Sequence, residues 1–122
     1  MAIHNRALPA LAADFAGIVL FAAVGRRNHA EGVSIGGIAE TAWPFLAGTM
    51  VGWLLSRGWR RPTALFPTGI TVWVCTVVVG MLLRKATSEG AATTFIAVTT
   101  VFTAVVLLGW RVILNRAAHR GP

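Results

Sequence analysis

Four long stretches of apolar residues, separated by short polar or charged segments, dominate the chain. They cover residues 7–25, 38–56, 62–83 and 90–110. A helix of about 20 mostly apolar residues crosses the hydrocarbon core of a bilayer, so each stretch is long enough to be a membrane span. Because the connections are short, we expect consecutive helices to be antiparallel neighbours. The pattern predicts an all-α fold, a four-helix transmembrane bundle that forms a single domain over residues 1–122 and ends in a basic tail at 111–122.

The composition favours a membrane protein and argues against nucleic-acid binding. Hydrophobic residues make up 56% of the 122 residues and charged residues only 12%, and the mean hydropathy is +0.70. The net charge of +7 is divided among short basic groups at the ends of the apolar stretches, as is typical of helix ends that meet lipid headgroups. A continuous basic track with interleaved aromatic residues is absent from the sequence. We therefore expect a lipid bilayer, and no nucleic acid, as the partner.

The basic residues also predict an orientation. In this topology one side of the membrane has seven of them, and the other has four: Arg6, Arg57, Arg60, Arg61, Arg111, Arg116 and Arg120 against Arg26, Arg27, Arg84 and Lys85. Cytoplasmic flanks carry the excess of Lys and Arg. The count predicts a protein of the bacterial inner membrane with both termini in the cytoplasm, and an inverted or mixed topology is the alternative.

An acidic residue, Asp14, interrupts the first stretch. At a rise of about 1.5 Å per residue it lies roughly 9 Å inside the span from Leu8. A charge at that depth is costly unless it faces the bundle interior and has a partner. We expect a polar site around Asp14, with candidate partners at matching depth or within reach of a long side chain: Thr49, Thr103, Arg57 and Arg111. Either this site holds the bundle together, or Asp14 couples the movement of protons or cations.

A second group of charged residues is expected at the outer ends of the helices. Its members are Arg26, Arg27, His29, Glu40 and Arg84. They form either an ion-paired rim or a site for an anion or a lipid headgroup, and exposed pairs of this kind favour the rim.

Small residues predict where helices approach each other closely. Gly48 and Gly52 form a GxxxG pattern in the second stretch, and Ala13 and Gly17 give the first stretch a small face. Such residues allow close helix contact in lipid, where the hydrophobic effect does not drive association. The expected contacts lie within the chain, and a dimer face is the alternative.

The sequence lacks the patterns of an enzyme. Its three histidines are scattered and its one cysteine is alone, so we expect no metal site. The sequence also has no phosphate-binding loop and no nucleophile motif, and we expect no cofactor. We therefore interpret the chain as a non-enzymatic membrane module that packs with copies of itself, as a homo-oligomer, or serves as an accessory subunit of a larger membrane complex.

Four short strings together resemble one protein family: FAAVGRRNH (21–29), TAWPFLAG (41–48), VVVGMLLR (77–84) and LLGWR (107–111). It is a family of small bacterial membrane proteins, common in actinobacteria and classed as a domain of unknown function. The resemblance runs from about Asp14 to Arg111. It implies a small protein with several spans and no assigned activity, cofactor or functional residue.

A second resemblance is to the small multidrug-resistance transporters. These are also four-helix chains with one acidic residue early in the first span, where Asp14 stands, and FPTGITVW (66–73) is similar to the start of their third helix. The acid here is Asp rather than Glu, and the sequence has no Tyr for a cation pocket. This resemblance implies a proton- or cation-coupled transporter that uses Asp14, which is our alternative function.

Overall fold

The computed structural model describes residues 5–27, 34–87 and 92–120, with side chains for residues 5–25, 34–87 and 92–118. Within these ranges the chain is helical and has no β-strand, which confirms the predicted all-α class. The helices are α1 (Ala7–Arg27), α2 (Ile35–Ser56), α3 (Ile70–Ala86), α4 (Thr93–Thr103) and α5 (Gly109–Arg120). A π-helical turn, Ala104–Leu108, joins α4 to α5 without leaving the helical conformation. The described residues therefore form four helical rods.

Capping and backbone geometry fix the two ends of α2. The hydroxyl of Ser34 accepts a hydrogen bond from the amide of Gly37 at 3.0 Å, which satisfies one of the free donors of the first turn. At the other end Arg57 adopts the left-handed conformation, with φ 53° and ψ 51°, and its amide bonds back to carbonyls of the last turn. This conformation ends the helix and starts the connection to α3.

The connection before α3 is irregular. In the turn Leu65–Gly69, Phe66 is extended, with φ −124° and ψ 133°, as expected of a residue that precedes a proline. Regular helix begins at Ile70, whereas the apolar stretch from which a span was predicted starts at residue 62.

The last helix runs on past its predicted end. We expected the fourth span to end at residue 110 and a basic tail to follow, whereas α5 continues to Arg120. Arg111 therefore lies inside a helix. Its charge resembled a helix-end signal in the sequence, but the residue is fully buried.

Close glycine contacts join α2 to α3. A Cβ atom on Gly48 would lie 2.6 Å from the carbonyl oxygen of Cys75, and one on Gly52 would lie 2.6 Å from the Cα of Val72. In α1, Gly17 packs against the side chain of Val106, and Ala13 on the same helix is half-buried. The three glycines singled out in the sequence thus make close contacts within the chain.

Aromatic rings fill the half of the bundle that is remote from Asp14. Phe21 packs edge-on against Phe45, with ring centroids 5.4 Å apart, and lies 5.4 Å from Phe102. Phe95 completes the group. Gly80 of α3 leaves room for the Phe45 ring.

Within the described ranges, three segments are long and apolar enough to cross a membrane: Ala7–Gly25, Leu65–Ala86 and Thr93–Ala118. The described length of α2 would also suffice, but its composition falls short, since it contains Glu40, Pro44 and several glycines. All four apolar stretches were predicted to be spans on the same grounds, whereas α2 is less apolar than the other three segments.

Candidate functional site

The buried face of α1 places Asp14 in the interior. Ala7, Ala10, Ile18 and Phe21 are buried on the same helix, at the three- and four-residue spacing of one helical face. Asp14 falls in this series and has no exposed surface. Its carboxylate therefore depends entirely on protein groups for hydrogen bonds.

Four N–H groups bind that carboxylate. Arg111 of α5 makes two parallel bonds, from Nη1 to Oδ1 at 2.9 Å and from Nη2 to Oδ2 at 2.8 Å. The indole of Trp53 donates to Oδ2 at 2.9 Å, and the indole of Trp110 donates to Oδ1 at 2.9 Å. Each oxygen thus receives two donors. A carboxylate has about four acceptor positions, so all of them are filled. We call Asp14, Trp53, Trp110 and Arg111 the Asp14 cluster.

The guanidinium of Arg111 is held from several further sides. Its Nε donates to the carbonyl of Pro62 at 3.0 Å, and its Nη1 donates to the carbonyl of Leu107 at 2.8 Å. The group also lies over the ring of Trp110, 4.4 Å from its centroid. Paired with a carboxylate, bonded to carbonyls and stacked on an aromatic face, this arginine makes the contacts that allow a buried guanidinium.

Neighbouring contacts fix the Asp14 cluster in place. A Cβ on Gly69 would come within 3.0 Å of the Arg111 Cδ, so a glycine there leaves space for the arginine stem. Asn115, one turn beyond Arg111, donates to the carbonyl of Thr63 at 3.0 Å. The hydroxyl of Thr68 donates to the carbonyl of Arg61 at 2.7 Å. The Asn115 bond ties the connection between α2 and α3 to α5, and the Thr68 bond stabilises that connection internally.

Of the candidate partners named from the sequence, the structure places Arg111 against Asp14. The hydroxyl of Thr49 bonds to the carbonyl of Phe45 at 2.9 Å and lies 2.7 Å from the hydroxyl of Thr76. Thr103 donates to the carbonyl of Thr99 at 2.6 Å. A threonine in a helix commonly donates its hydroxyl to the carbonyl four residues earlier. Thr49 and Thr103 both do so here and make no bond to Asp14. Arg57 is exposed at the end of α2.

Sequence reasoning missed the two indoles. Trp53 and Trp110 were not among the predicted partners of Asp14, yet both bind it, and Trp53 is only 4% exposed. An indole N–H is a donor only and needs an acceptor when it is buried. Trp53 lies one helical turn from Thr49, and Trp110 precedes Arg111. That proximity to two predicted partners was the available signal.

The outer charged group is described only in part. The side chains of Arg26 and Arg27, and all of His29, lie outside the described residues. Glu40 is exposed, and the guanidinium of Arg84 lies over the ring of Phe95 at 4.4 Å. The ionic rim therefore stays a prediction. Among the described residues, no group of three His, Cys, Asp or Glu side chains is placed to hold a metal ion.

The three apolar helices indicate a membrane protein, here one with an ion pair buried between its first and last helices. The chain belongs to the DUF3054 family, described as a protein of unknown function, whose model matches residues 11–114. All four members of the Asp14 cluster fall within that range. The resemblance to a domain of unknown function is thereby confirmed, and the distribution of the family among bacteria stays a prediction. Neither a curated protein nor a solved structure matches the chain.

Proposed function

We propose that this protein is a non-enzymatic integral membrane module that packs with copies of itself or with a larger membrane complex. In this proposal residues 1–122 form a single four-helix transmembrane bundle with antiparallel neighbours. It lies in the bacterial inner membrane with both termini in the cytoplasm. The outer group of charged residues forms an ion-paired rim.

The saturated carboxylate of Asp14 is the observation that carries this proposal. A group that exchanges protons or cations during its work needs a free acceptor position and a path to water. Asp14 is fully buried, and its four acceptor positions are filled by N–H donors. This arrangement supports a role in holding helices together.

The outward surface of α4 supports packing with another helix. A groove of about 530 Å³ runs along it, with a wholly apolar lining: Ala97, Val98, Val101, Phe102, Val105 and Val106. Because all of these side chains except Phe102 are alanine or valine, a second helix can approach closely. We assign this groove to the contact between two copies of the chain.

The mass of the purified full chain in mild detergent tests the proposal. We expect a particle larger than a monomer, and Val101→Trp in the groove should reduce it to the monomer. Val74→Trp is the matched control, since Val74 is an exposed valine on α3, and it should leave the mass unchanged. A wild-type particle of monomer mass with no co-purifying protein would contradict the proposal.

Transport coupled to Asp14 is the second candidate, and one feature supports it. A cleft reaches the indole of Trp110, which itself donates to Asp14. If that indole moved aside, the carboxylate would gain a route toward the surface. In liposomes, Asp14→Asn should then abolish proton-coupled flux while the chain still folds. Unchanged behaviour of Asp14→Asn would count against transport.

A further inference from the structure

A cleft of about 270 Å³ opens between the start of α1, the connection before α3, and α5. Its lining is Arg6, Pro9, Ala10, Thr63, Trp110 and Leu114. Most of these side chains present carbon to the cleft, and Arg6 is the one with a charge. The volume is below the range of about 300–1,000 Å³ that is usual for pockets holding a whole small molecule. The cleft therefore fits a headgroup or the start of a chain better than a complete ligand.

The end of the bundle around this cleft has a concentrated positive charge. Arg6, Arg57, Arg60, Arg61 and Arg116 are exposed there, and we call these five residues the basic end. The bonds from Arg111 to Pro62 and from Asn115 to Thr63 hold the connection that contains Arg60 and Arg61 against α5. These residues therefore lie at one end of the molecule.

The acidic residues that the structure describes add little negative charge at the basic end. The chain has four acidic residues, and Asp14 is paired with Arg111. The other three are Glu31, Glu40 and Glu89. Glu40 lies in the first turns of α2, at the opposite end of that helix from Arg57, and Glu31 and Glu89 lie outside the described residues. A concentrated positive field attracts anions, and its effect is strongest at a low-dielectric wall.

We infer that this cleft binds an acidic phospholipid of the membrane leaflet that the basic end faces. The phosphate would lie beside the Arg6 guanidinium, and the first methylene groups would lie along Pro9, Leu114 and the Trp110 ring. Arginine and tryptophan at a helix end are the side chains that meet the headgroup level of a bilayer. The inference does not depend on what Asp14 does, so it stands or falls separately from the proposed function.

Native mass spectrometry of the full chain in detergent micelles tests this site. Phosphatidylglycerol is the acidic probe, and phosphatidylcholine with the same acyl chains is the neutral one. We expect the protein to retain phosphatidylglycerol in preference to phosphatidylcholine. Arg6→Gln should weaken retention of phosphatidylglycerol about fivefold, as follows from the usual contribution of one basic residue near an anionic surface. Inorganic phosphate at the same concentration should not displace the lipid.

The matched control is Lys85→Gln, which removes an exposed basic residue from the last turn of α3. It should leave retention unchanged. Equal weakening by Arg6→Gln and Lys85→Gln would show general charge attraction and overturn the inference. So would displacement by inorganic phosphate.

A second variant tests the cleft itself without changing the charge. Leu114→Trp adds volume at a half-buried position of the lining and should also reduce retention of phosphatidylglycerol. If it leaves retention intact while the chain is folded, the lipid does not occupy the cleft and the inference is wrong. Leu114→Phe, a smaller increase, serves the same purpose if the tryptophan variant fails to fold.

Discussion

Two indole N–H groups fill the acceptor positions of the Asp14 carboxylate that Arg111 does not occupy. A hydrogen bond to a charged group contributes about 1.5–3 kcal/mol. We therefore expect Trp53→Phe and Trp110→Phe each to lower the free energy of unfolding by about that amount, since phenylalanine keeps most of the ring but loses the donor. Reversible denaturation of the purified protein in detergent measures the change.

The control for these two variants is Trp43→Phe, because Trp43 is 44% exposed. It loses the same N–H group at a site where solvent or headgroups replace the bond. A cost for Trp43→Phe equal to that of the other two would show that the indole bonds to Asp14 add nothing specific.

Single residues also show what the sequence could predict of this site. A carboxyl group within an apolar stretch must find a partner, and this reasoning is enough to point to Asp14 and to offer Arg111. It did not select Arg111 over Thr49, Thr103 or Arg57, because depth along separate helices leaves their rotations free. The indoles were missed because tryptophan serves both as an interface anchor and as a buried donor, and the two roles look alike in a sequence.

At the scale of the helices, the close contact of α2 with α3 depends on Gly48 and Gly52, where a Cβ atom would meet the α3 backbone. A methyl group on Gly48 would meet the backbone of Cys75 and Thr76, which cannot move aside as a flexible side chain can. We expect Gly48→Ala to lower the free energy of unfolding by about 1–3 kcal/mol, the usual cost of overpacking. The same denaturation experiment measures it.

Gly36→Ala is the matched control in the same helix. A Cβ there has no atom within 4 Å, so the substitution should be neutral or should stabilise by up to about 1 kcal/mol through helix propensity. If Gly48→Ala were as harmless as Gly36→Ala, the close approach of α2 and α3 would not be required for stability.

The helix bounds were predictable to different degrees. Apolar stretches gave the position of every described helix, because spanning length and low charge are strong signals. The regular helices differ most from the expected spans near residues 62 and 111. Phe66 is held extended by the proline after it, which delays α3, and the charge of Arg111 is neutralised inside the fold, which allows α5 to continue. Local sequence does not reveal a pairing between residues 97 positions apart.

For the whole molecule, the uneven charge predicts how the bundle lies in a membrane. Arg116 belongs to the basic end. Lys85 lies in the last turn of α3, a helix of 17 residues that is about 25 Å long. In cells that express the chain with Cys75→Ala, a membrane-impermeant thiol reagent should label Lys85→Cys from outside. Arg116→Cys should react only after the membrane is opened.

The reverse pattern of labelling would show that the molecule has the inverted orientation. Labelling of both positions from outside would mean that α3 and the last helix do not carry these residues to opposite faces of one membrane.

In the whole bundle, the ion pair of Asp14 and Arg111 joins α1 to α5 and stabilises the packing of the helices. A double-mutant cycle on the free energy of unfolding tests it most directly, with Asp14→Leu, Arg111→Leu and the double variant. Each single change leaves a buried charge unpaired and should cost about 3–5 kcal/mol. The loss of the indole bonds is shared by both variants that lack Asp14, so it cancels in the cycle.

We expect the double variant to be more stable than the sum of the single changes implies, with a coupling of about 2–3 kcal/mol, near the top of the range for residues in contact. Single variants with small costs that simply add in the double variant would contradict the claim that this ion pair holds the bundle together.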